Sequence, residues 1–266
     1  MKKGLGNRMS DVVDIKKLTP VEKKGNFWLK REDLFEVYGM HGGKARAAYQ
    51  LIQQRLEEGY TTIVSAGQRE SPQCEIISFI CENLGIDCIL YMNEGAETEV
   101  LAHIKNNPHT EVRRVGYPSF TNVLDSKARV CAADNHFGYI PFGMECEENV
   151  EITCHQVQNI PSECKRIIMP AGSGMSMSSV ISGMVRYGIN KPIVGVRVGK
   201  DPKKILETYA EGLSVVDWDI IQAPQKYSQW VDAYVEDVQL DPIYEAKCRQ
   251  FMQDGDLLWI VGKRLM

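Results

Sequence analysis

The chain has 266 residues, a length that suits one large α/β domain or two closely packed domains. Hydrophobic residues make up 44% and charged residues 25% of the sequence, which is typical of a globular protein and not of a disordered one. The net charge of -4 argues against a basic surface for nucleic acid over the whole protein, and no apolar run is long enough to span a membrane. The N-terminal residues lack the apolar stretch of a signal peptide, and the eight cysteines are scattered, so we expect reduced thiols in the cytoplasm.

Apolar periodicity predicts strands that alternate with helices along most of the chain. In chain order the pattern predicts a helix over 45–58, a strand over 61–66, a helix over 72–84, a strand over 88–92, a helix over 100–105, a strand over 111–115, a helix over 122–134, an extended segment over 139–142, a helix over 150–158, a strand over 166–170, a helix over 176–186, a strand over 193–198, helices over 203–209 and 242–253, and a strand over 257–261. Strands joined by helices of this length pair in parallel with right-handed crossovers. The expected fold class is therefore α/β with parallel sheets.

Two glycines followed by a lysine open the first predicted helix. The segment Met40-His-Gly-Gly-Lys-Ala-Arg46 places Lys44 at the positive end of a helix dipole, which favours a neutral, nucleophilic amine. Such a lysine suits Schiff-base chemistry. A glycine turn before a solvated lysine also explains the segment when it is taken alone.

A second glycine-rich segment, residues 172–176, joins a predicted strand to a predicted helix. Its sequence is Gly-Ser-Gly-Met-Ser, and the backbone N–H groups of such a loop form an anion site at a helix N-terminus. The segment lacks the lysine of a P-loop and the third glycine of a dinucleotide fingerprint, so a single phosphate is the natural ligand. A turn with serine N-caps is the alternative interpretation.

A third strand-to-helix segment, residues 65–73, contains the pair Ser71-Pro72. Serine at the N-cap and proline at the first helical position explain this pair structurally. The functional alternative is that the helix N-terminus holds a substrate carboxylate and that Ser71 faces the reacting carbon. No metal site is predicted, because Cys146, Cys154, His155 and Cys164 match no common zinc spacing.

Together and in this order the motifs resemble a known family. They are Thr19-Pro-Val-Glu22, Leu29-Lys-Arg-Glu-Asp-Leu34, Gly42-Gly-Lys-Ala-Arg46, Ser65-Ala-Gly with Ser71, Gly172-Ser-Gly-Met-Ser176, and Leu240-Asp-Pro-Ile-Tyr-x-x-Lys247. The chain resembles the fold-type II pyridoxal-phosphate enzymes, in the branch of aminocyclopropane-carboxylate deaminase and D-cysteine desulfhydrase. The resemblance runs from about Leu18 to the C-terminus, although residues 95–160 match only in their strand and helix rhythm.

The resemblance implies the fold, the cofactor and the site residues. The fold would be tryptophan synthase beta-like, with pyridoxal 5'-phosphate in the cleft between two parallel-sheet domains. The larger domain would comprise 1–48 and 154–266, and the smaller one 49–153. The residues implied to bind the cofactor are Lys44, through a covalent bond, and Gly172, Ser173, Gly174, Met175 and Ser176, through the phosphate. Those implied to be catalytic are Lys44, Ser71 and Tyr227, and those implied to bind the substrate are Gly67, Gln68, Ser71 and Gln73.

Three departures from the family pattern bear on the chemistry. Gly43 stands where the family has an asparagine, and Pro72 replaces a second asparagine. The stretch Val261-Gly-Lys-Arg264, after the last predicted strand, offers no acid to a pyridine nitrogen. From the last departure we expect a weak electron sink that favours elimination over reactions with a long-lived carbanion.

The function implied is that of a pyridoxal-phosphate-dependent lyase or deaminase in amino acid metabolism. Its partners would be a small-molecule amino-acid substrate and a second copy of the chain in a homodimer, with no membrane. Two alternatives stay open at the level of sequence. One is an enzyme that acts on an amino acid attached to a larger molecule, such as a nucleotide or nucleic acid. The other is a catalytically inactive binding or regulatory protein that has kept the fold.

Overall fold

The computed structural model describes residues 13–69, 72–117 and 119–262. The strands are β1 (Val21–Lys24), β2 (Phe27–Arg31), β3 (Glu36–Val37), β4 (Met40–His41), β5 (Thr62–Gly67), β6 (Asp87–Asn93), β7 (Thr110–Val115), β8 (Gly138–Ile140), β9 (Arg166–Ala171), β10 (Ile193–Arg197), β11 (Trp218–Gln222), β12 (Tyr234–Val235), β13 (Val238–Gln239) and β14 (Asp256–Ile260). The α-helices are α1 (Gly43–Glu57), α2 (Pro72–Leu84), α3 (Glu99–Asn106), α4 (Thr121–Asn135), α5 (Glu147–Thr153), α6 (Met175–Arg186), α7 (Lys203–Tyr209) and α8 (Glu245–Cys248).

The strands form two main sheets. The large sheet has six strands in the order β1-β2-β14-β9-β10-β11, and the small sheet has four in the order β7-β6-β5-β8. Within these two sheets all neighbouring strands are parallel except β1 and β2, which form an antiparallel hairpin at one edge of the large sheet. In parallel sheets the carboxyl ends of the strands lie along one edge, and ligands bind outside that edge. The ends of β9 and β14, which are neighbours, are therefore placed side by side.

Helices cover both faces of each sheet, because successive side chains of a buried strand point to opposite faces. In the small sheet, Ile63 belongs to the core shared with α1, α2 and α3, whereas Val64 belongs to the core shared with α4. In the large sheet, Ile167 packs with α6, whereas Ile168 packs with α8. Within the described ranges, no helix combines the length and apolar character needed to cross a membrane.

The predicted alternation of strands and helices is present, with differences in several elements. The hairpin of β1 and β2 and the edge strand β11 were not predicted, since their sequences mix charged and apolar residues without strict alternation. The two-residue strands β3, β4, β12 and β13 are too short to give a pattern and were not predicted either. The helix predicted over 242–253 is only α8 followed by a 3₁₀ turn, Arg249–Phe251. It starts late because Tyr244 has non-helical backbone angles, φ -109° and ψ -82°.

The junction between the two sheets lies at the start of α1. Gly42 has φ +93°, and a Cβ there would lie 2.7 Å from Gly262 Cα and 2.9 Å from Val261 O, so no side chain fits. Gly43 donates its N–H to Val261 O at 2.9 Å. Helix α1, which packs against the small sheet, is thus joined by its first residues to the end of β14. The predicted domain boundary at residue 48 falls inside this unbroken helix, and the division into domains stays a prediction.

The two neighbouring glycines should respond differently to alanine. Gly42→Ala should destabilise the protein by about 1–3 kcal/mol, because the new methyl group overlaps main-chain atoms. Gly43 has no positive φ and its Cβ would meet atoms only at 3.6 Å, so Gly43→Ala should raise stability by about 0.4–1 kcal/mol. Thermal unfolding of both variants checks this contrast. Equal melting temperatures would mean that Gly42 does not make the close contact.

Candidate active site

Lys44 is the second residue of α1 and lies beside the junction of the two sheets. Its charge acts on Cys74, in the first turn of α2. Burial raises the pKa of Cys74 to about 12, and the positive charge of Lys44 opposes this rise. Lys44 is therefore within electrostatic range of the helix that follows the predicted substrate loop.

A buried ion pair fixes the first turn of α1. Glu32 and Arg46 are both fully buried, with Glu32 Oε2 at 3.4 Å from Arg46 Nε. The other carboxylate oxygen of Glu32 accepts from the hydroxyl of Thr19, and the guanidinium of Arg46 lies over the ring of Phe35 at 4.0 Å. Breaking one partner of such a pair leaves an uncompensated buried charge. Because Arg46 follows Lys44 by two residues, the pair holds the helix turn that carries Lys44.

The predicted phosphate loop connects β9 to α6. Gly174 has φ +109° and precedes the first residue of α6, and Ser173 Oγ accepts from the N–H of Met175 at 3.4 Å. A Cβ on Gly174 would lie 3.0 Å from Pro202 Cβ, so this side of the loop is closely packed. The first N–H groups of a helix have no partner within the helix, and here they lie at the carboxyl edge of the large sheet. The loop can thus bind an anion.

A buried carboxyl group lies at the end of β14. Glu245, the first residue of α8, is fully buried, and its Oε1 accepts from the N–H of Val261 at 2.7 Å. No hydrogen-bond partner for Glu245 Oε2 occurs among the described residues. Burial, with a smaller contribution from the charge of Asp241, raises the pKa of Glu245 well above its usual value. The carboxyl group of Glu245 therefore tends to keep its proton, or to be stabilised by a hydrogen-bond donor that reaches Oε2.

Two tyrosines connect this acid to the phosphate loop. Tyr227 Oη and Tyr244 Oη are 3.0 Å apart, and the rings meet edge to face. The ring of Tyr244 is 3.2 Å from the position that a Cβ on Gly172 would take. The predicted residue Tyr227 is thus adjacent to the predicted phosphate loop through Tyr244.

The predicted substrate loop follows β5 in the small sheet. Gly67 ends that strand and is buried, and Gln68 is half-buried beside it. Gln73 is buried in α2, and its amide donates to Ser65 Oγ at 3.1 Å and to a main-chain carbonyl at 2.9 Å. These bonds hold the loop to its own sheet. Ser71, the predicted substrate-facing serine, lies outside the described residues.

Neither Tyr244 nor Glu245 is among the site residues predicted from the sequence, although Tyr244 belongs to the Leu240–Lys247 motif. The expected source of an acid was the stretch after the last strand, whereas the structure brings Glu245 to that strand from α8. The available signal was a glutamate directly after a tyrosine among apolar neighbours, Ile243, Ala246 and Cys248, since a lone acid is seldom buried without a role. An acid is therefore present at the end of the last strand, contrary to what was expected from the residues that follow it, and the weak electron sink stays a prediction. Lys263 and Arg264 lie outside the described residues.

Comparison with known proteins places the chain in a family. The family model described as pyridoxal-phosphate dependent enzyme matches residues 5–255. The chain belongs to the family of pyridoxal-phosphate dependent enzymes, and the predicted fold type and cofactor are confirmed.

The chain is similar in sequence to two deaminases from fungi. A probable 1-aminocyclopropane-1-carboxylate deaminase of Schizosaccharomyces pombe is 23% identical over 204 residues, 68% of this chain and 59% of that protein. A 1-aminocyclopropane-1-carboxylate deaminase of Cyberlindnera saturnus is 20% identical over 212 residues, 69% of this chain and 60% of that protein. The matched region thus spans about three fifths of the length of these relatives.

Solved structures share the fold over nearly the whole chain. An aminocyclopropane-carboxylate (ACC) deaminase homologue superposes with a TM-score of 0.75 at 19% identity, covering 92% of this chain and 89% of that one. A threonine deaminase from Solanum lycopersicum has a TM-score of 0.67 at 16% identity, covering 93% and 79%. At these identities the likeness concerns the fold alone.

The residues present fit pyridoxal phosphate in three respects. The glycine loop before α6 can bind the phosphate, and Lys44 at the start of α1 can bind the aldehyde carbon. The unpaired, buried Oε2 of Glu245 can accept a hydrogen bond from a protonated ring nitrogen. Contacts between neighbouring residues link these three groups, from Gly43 through Val261 to Glu245, and from Tyr244 to Gly172.

The stability of the cofactor-free protein should depend on pH through Glu245. Its raised pKa means that the folded protein keeps the proton at pH values where the unfolded chain releases it. The free energy of unfolding should therefore fall as pH rises from the usual carboxyl pKa through the pKa of the folded state. Glu245→Gln, which mimics the protonated group, should match wild type in mild acid and be more stable in mild alkali. Melting curves across this range test it, and parallel pH profiles of the two proteins would contradict it.

Ser173 offers a charge test of the phosphate loop. Ser173→Asp should weaken binding of pyridoxal phosphate by at least about tenfold, about 1.4 kcal/mol, because its carboxylate repels the phosphate. Ser173→Asn adds a side chain of the same size without charge and should stay within about threefold of wild type, less than about 0.7 kcal/mol. Absorbance titration with the cofactor gives both dissociation constants. If Ser173→Asp and wild type bind pyridoxal phosphate with similar affinity, the loop is a turn that does not bind the phosphate.

Proposed function

We propose that the protein is a pyridoxal-phosphate-dependent deaminase or lyase that acts on a small amino acid. The observation that carries this proposal is the junction at the end of β14, where the helix turn of Lys44 and the buried acid Glu245 meet the same residue, Val261. An inactive protein that kept only the fold would have no need to retain a buried acid, one of whose oxygens has no partner among the described residues, at the strand end that also contacts the helix turn of Lys44. The deaminases to which the chain is similar support the same class of reaction.

Each proposed role follows from the position of the side chain. Lys44 would hold the cofactor covalently and move the proton at the α-carbon of the substrate. Residues 172–176 would bind the phosphate, and Glu245 would hold the proton at the ring nitrogen. When bound, the cofactor supplies the electron sink for the bond broken at the α-carbon.

The substrate would bind between the two sheets. Gly67, Gln68 and Ser71 are proposed to bind its carboxylate at the N-terminus of α2, as in other anion sites at helix ends. Gln73 would contribute indirectly, because its amide holds the loop to the small sheet. Tyr227 is proposed to face the substrate beside Tyr244.

We further infer that the protein acts in the cytoplasm as a homodimer. The resemblance to the family supports the dimer. The eight cysteines are all free in the structure and seven are buried, which supports a reducing compartment.

The proposed function can be tested on Lys44 directly. Borohydride reduction of the cofactor-loaded protein, followed by digestion and mass spectrometry, should locate the cofactor adduct on Lys44. Lys44→Ala should lose both the adduct and the release of ammonia or other small products from a panel of amino acids. Lys200→Ala, a lysine two residues before Pro202 beside the phosphate loop, serves as the control and should keep the adduct. An adduct on another lysine, or a loaded protein inert to every amino acid, would overturn the proposal.

A further inference from the structure

Tyr227 lies in a segment with no regular secondary structure. Residues 223–233, the tyrosine segment, connect β11 to β12 without a helix or strand. Tyr227 is 47% exposed, yet its hydroxyl is 3.0 Å from the hydroxyl of Tyr244. A half-exposed side chain on an irregular segment keeps such a distance only if its main chain is held from elsewhere.

The side chain of Lys247 holds this main chain. Its Nζ donates to Lys226 O at 2.8 Å and to Tyr227 O at 3.0 Å. Lys247 lies on α8. This helix begins with Glu245 and directly follows Tyr244. One short helix therefore carries the acid and the tether, with one member of the tyrosine pair at its N-cap.

Packing alone does not explain a lysine at this position. Lys247 is 0% exposed, and a lysine is rarely buried to this extent unless its ammonium group is paired. An apolar side chain of the same length would fill the space without the cost of desolvating a charge. What the ammonium adds is the pair of hydrogen bonds to residues 226 and 227.

We propose that Lys247 is a positioning residue that sets the hydroxyl of Tyr227 against Tyr244. The inference rests on the proposed function, because it assigns the tyrosine pair to the substrate site. Lys247 would act on Tyr227 through the two main-chain carbonyls to which its ammonium donates.

A second tether in the same segment provides a matched control. Gln250 Nε2 donates to Gln225 Oε1 at 3.0 Å, two residues before Tyr227. Gln250→Ala removes this bond and the bond from the same amide to Lys247 O at 3.0 Å, but it leaves both hydrogen bonds of the Lys247 ammonium in place. If any loosening of residues 223–233 lowers activity, both Gln250→Ala and a variant of Lys247 should show the loss. If the loss arises through Tyr227, only the variant of Lys247 should show it.

A double-mutant cycle in the cofactor-loaded protein tests the proposal. Lys247→Met and Tyr227→Phe should each lower kcat/KM for an amino acid such as 1-aminocyclopropane-1-carboxylate or D-cysteine by about tenfold, about 1.4 kcal/mol. If Lys247 acts through Tyr227, the double variant should lose little more than either single variant. Gln250→Ala should stay close to wild type. Losses that multiply, or an equal loss in Gln250→Ala, would overturn the proposal, and Lys247→Gln replaces the methionine variant if that one fails to fold.

Hydrogen exchange separates this inference from the proposed function. Gln229 donates its N–H to Lys226 O at 3.1 Å, so its amide reports on the carbonyl that Lys247 holds. Lys247→Met should raise exchange at Gln229, and Gln250→Ala should not. Unchanged exchange at Gln229 would refute the role of Lys247 in holding the segment, whether or not the protein is active. Raised exchange in a protein that turns over no amino acid would support that role and refute the proposed function.

Discussion

The contact between the backbone of Gly42 and that of Val261 and Gly262 is the constraint on which the rest of the site depends. A Cβ at Gly42 would lie 2.7 Å from Gly262 Cα, so the two chain segments can meet only without a side chain. The contact joins α1, a helix of the small sheet, to the last strand of the large sheet. Because Lys44 is two residues from Gly42, this packing sets the position of its main chain.

Buried ionisable groups lie on both sides of this contact. Glu32 and Arg46 form an ion pair under the first turn of α1, and Glu245, whose raised pKa favours its protonated form, lies beyond the end of β14. Each group is costly to bury as a charge, and each is tied to a main-chain group or to an opposite charge. Because the ion pair joins the end of β2 to α1 and Glu245 joins α8 to the end of β14, these groups fix the geometry of the junction.

Much of the fold could be predicted from local periodicity, and the rest depended on contacts distant in sequence. The helix predicted over 72–84 agrees with α2 at both ends, because Pro72 and Gly85 mark its limits. The strand β2 was also hard to predict because it buries Lys30. The ammonium of Lys30 donates to the main-chain oxygen of Thr19 and to Asn159 Oδ1, and no local pattern reveals these partners. Glu245 was missed for the same reason, since its partner Val261 is 16 residues away.

The places where local rules fail are also the places where the chemistry is proposed. Tyr244 interrupts the predicted helix with non-helical angles, and the next residue is the buried acid. This interruption turns Tyr244 toward Gly172 and Tyr227 while Glu245 faces Val261. A regular helix through residue 244 would place consecutive side chains about 100° apart on one continuous surface. The break is therefore what allows adjacent residues to face two different parts of the proposed site.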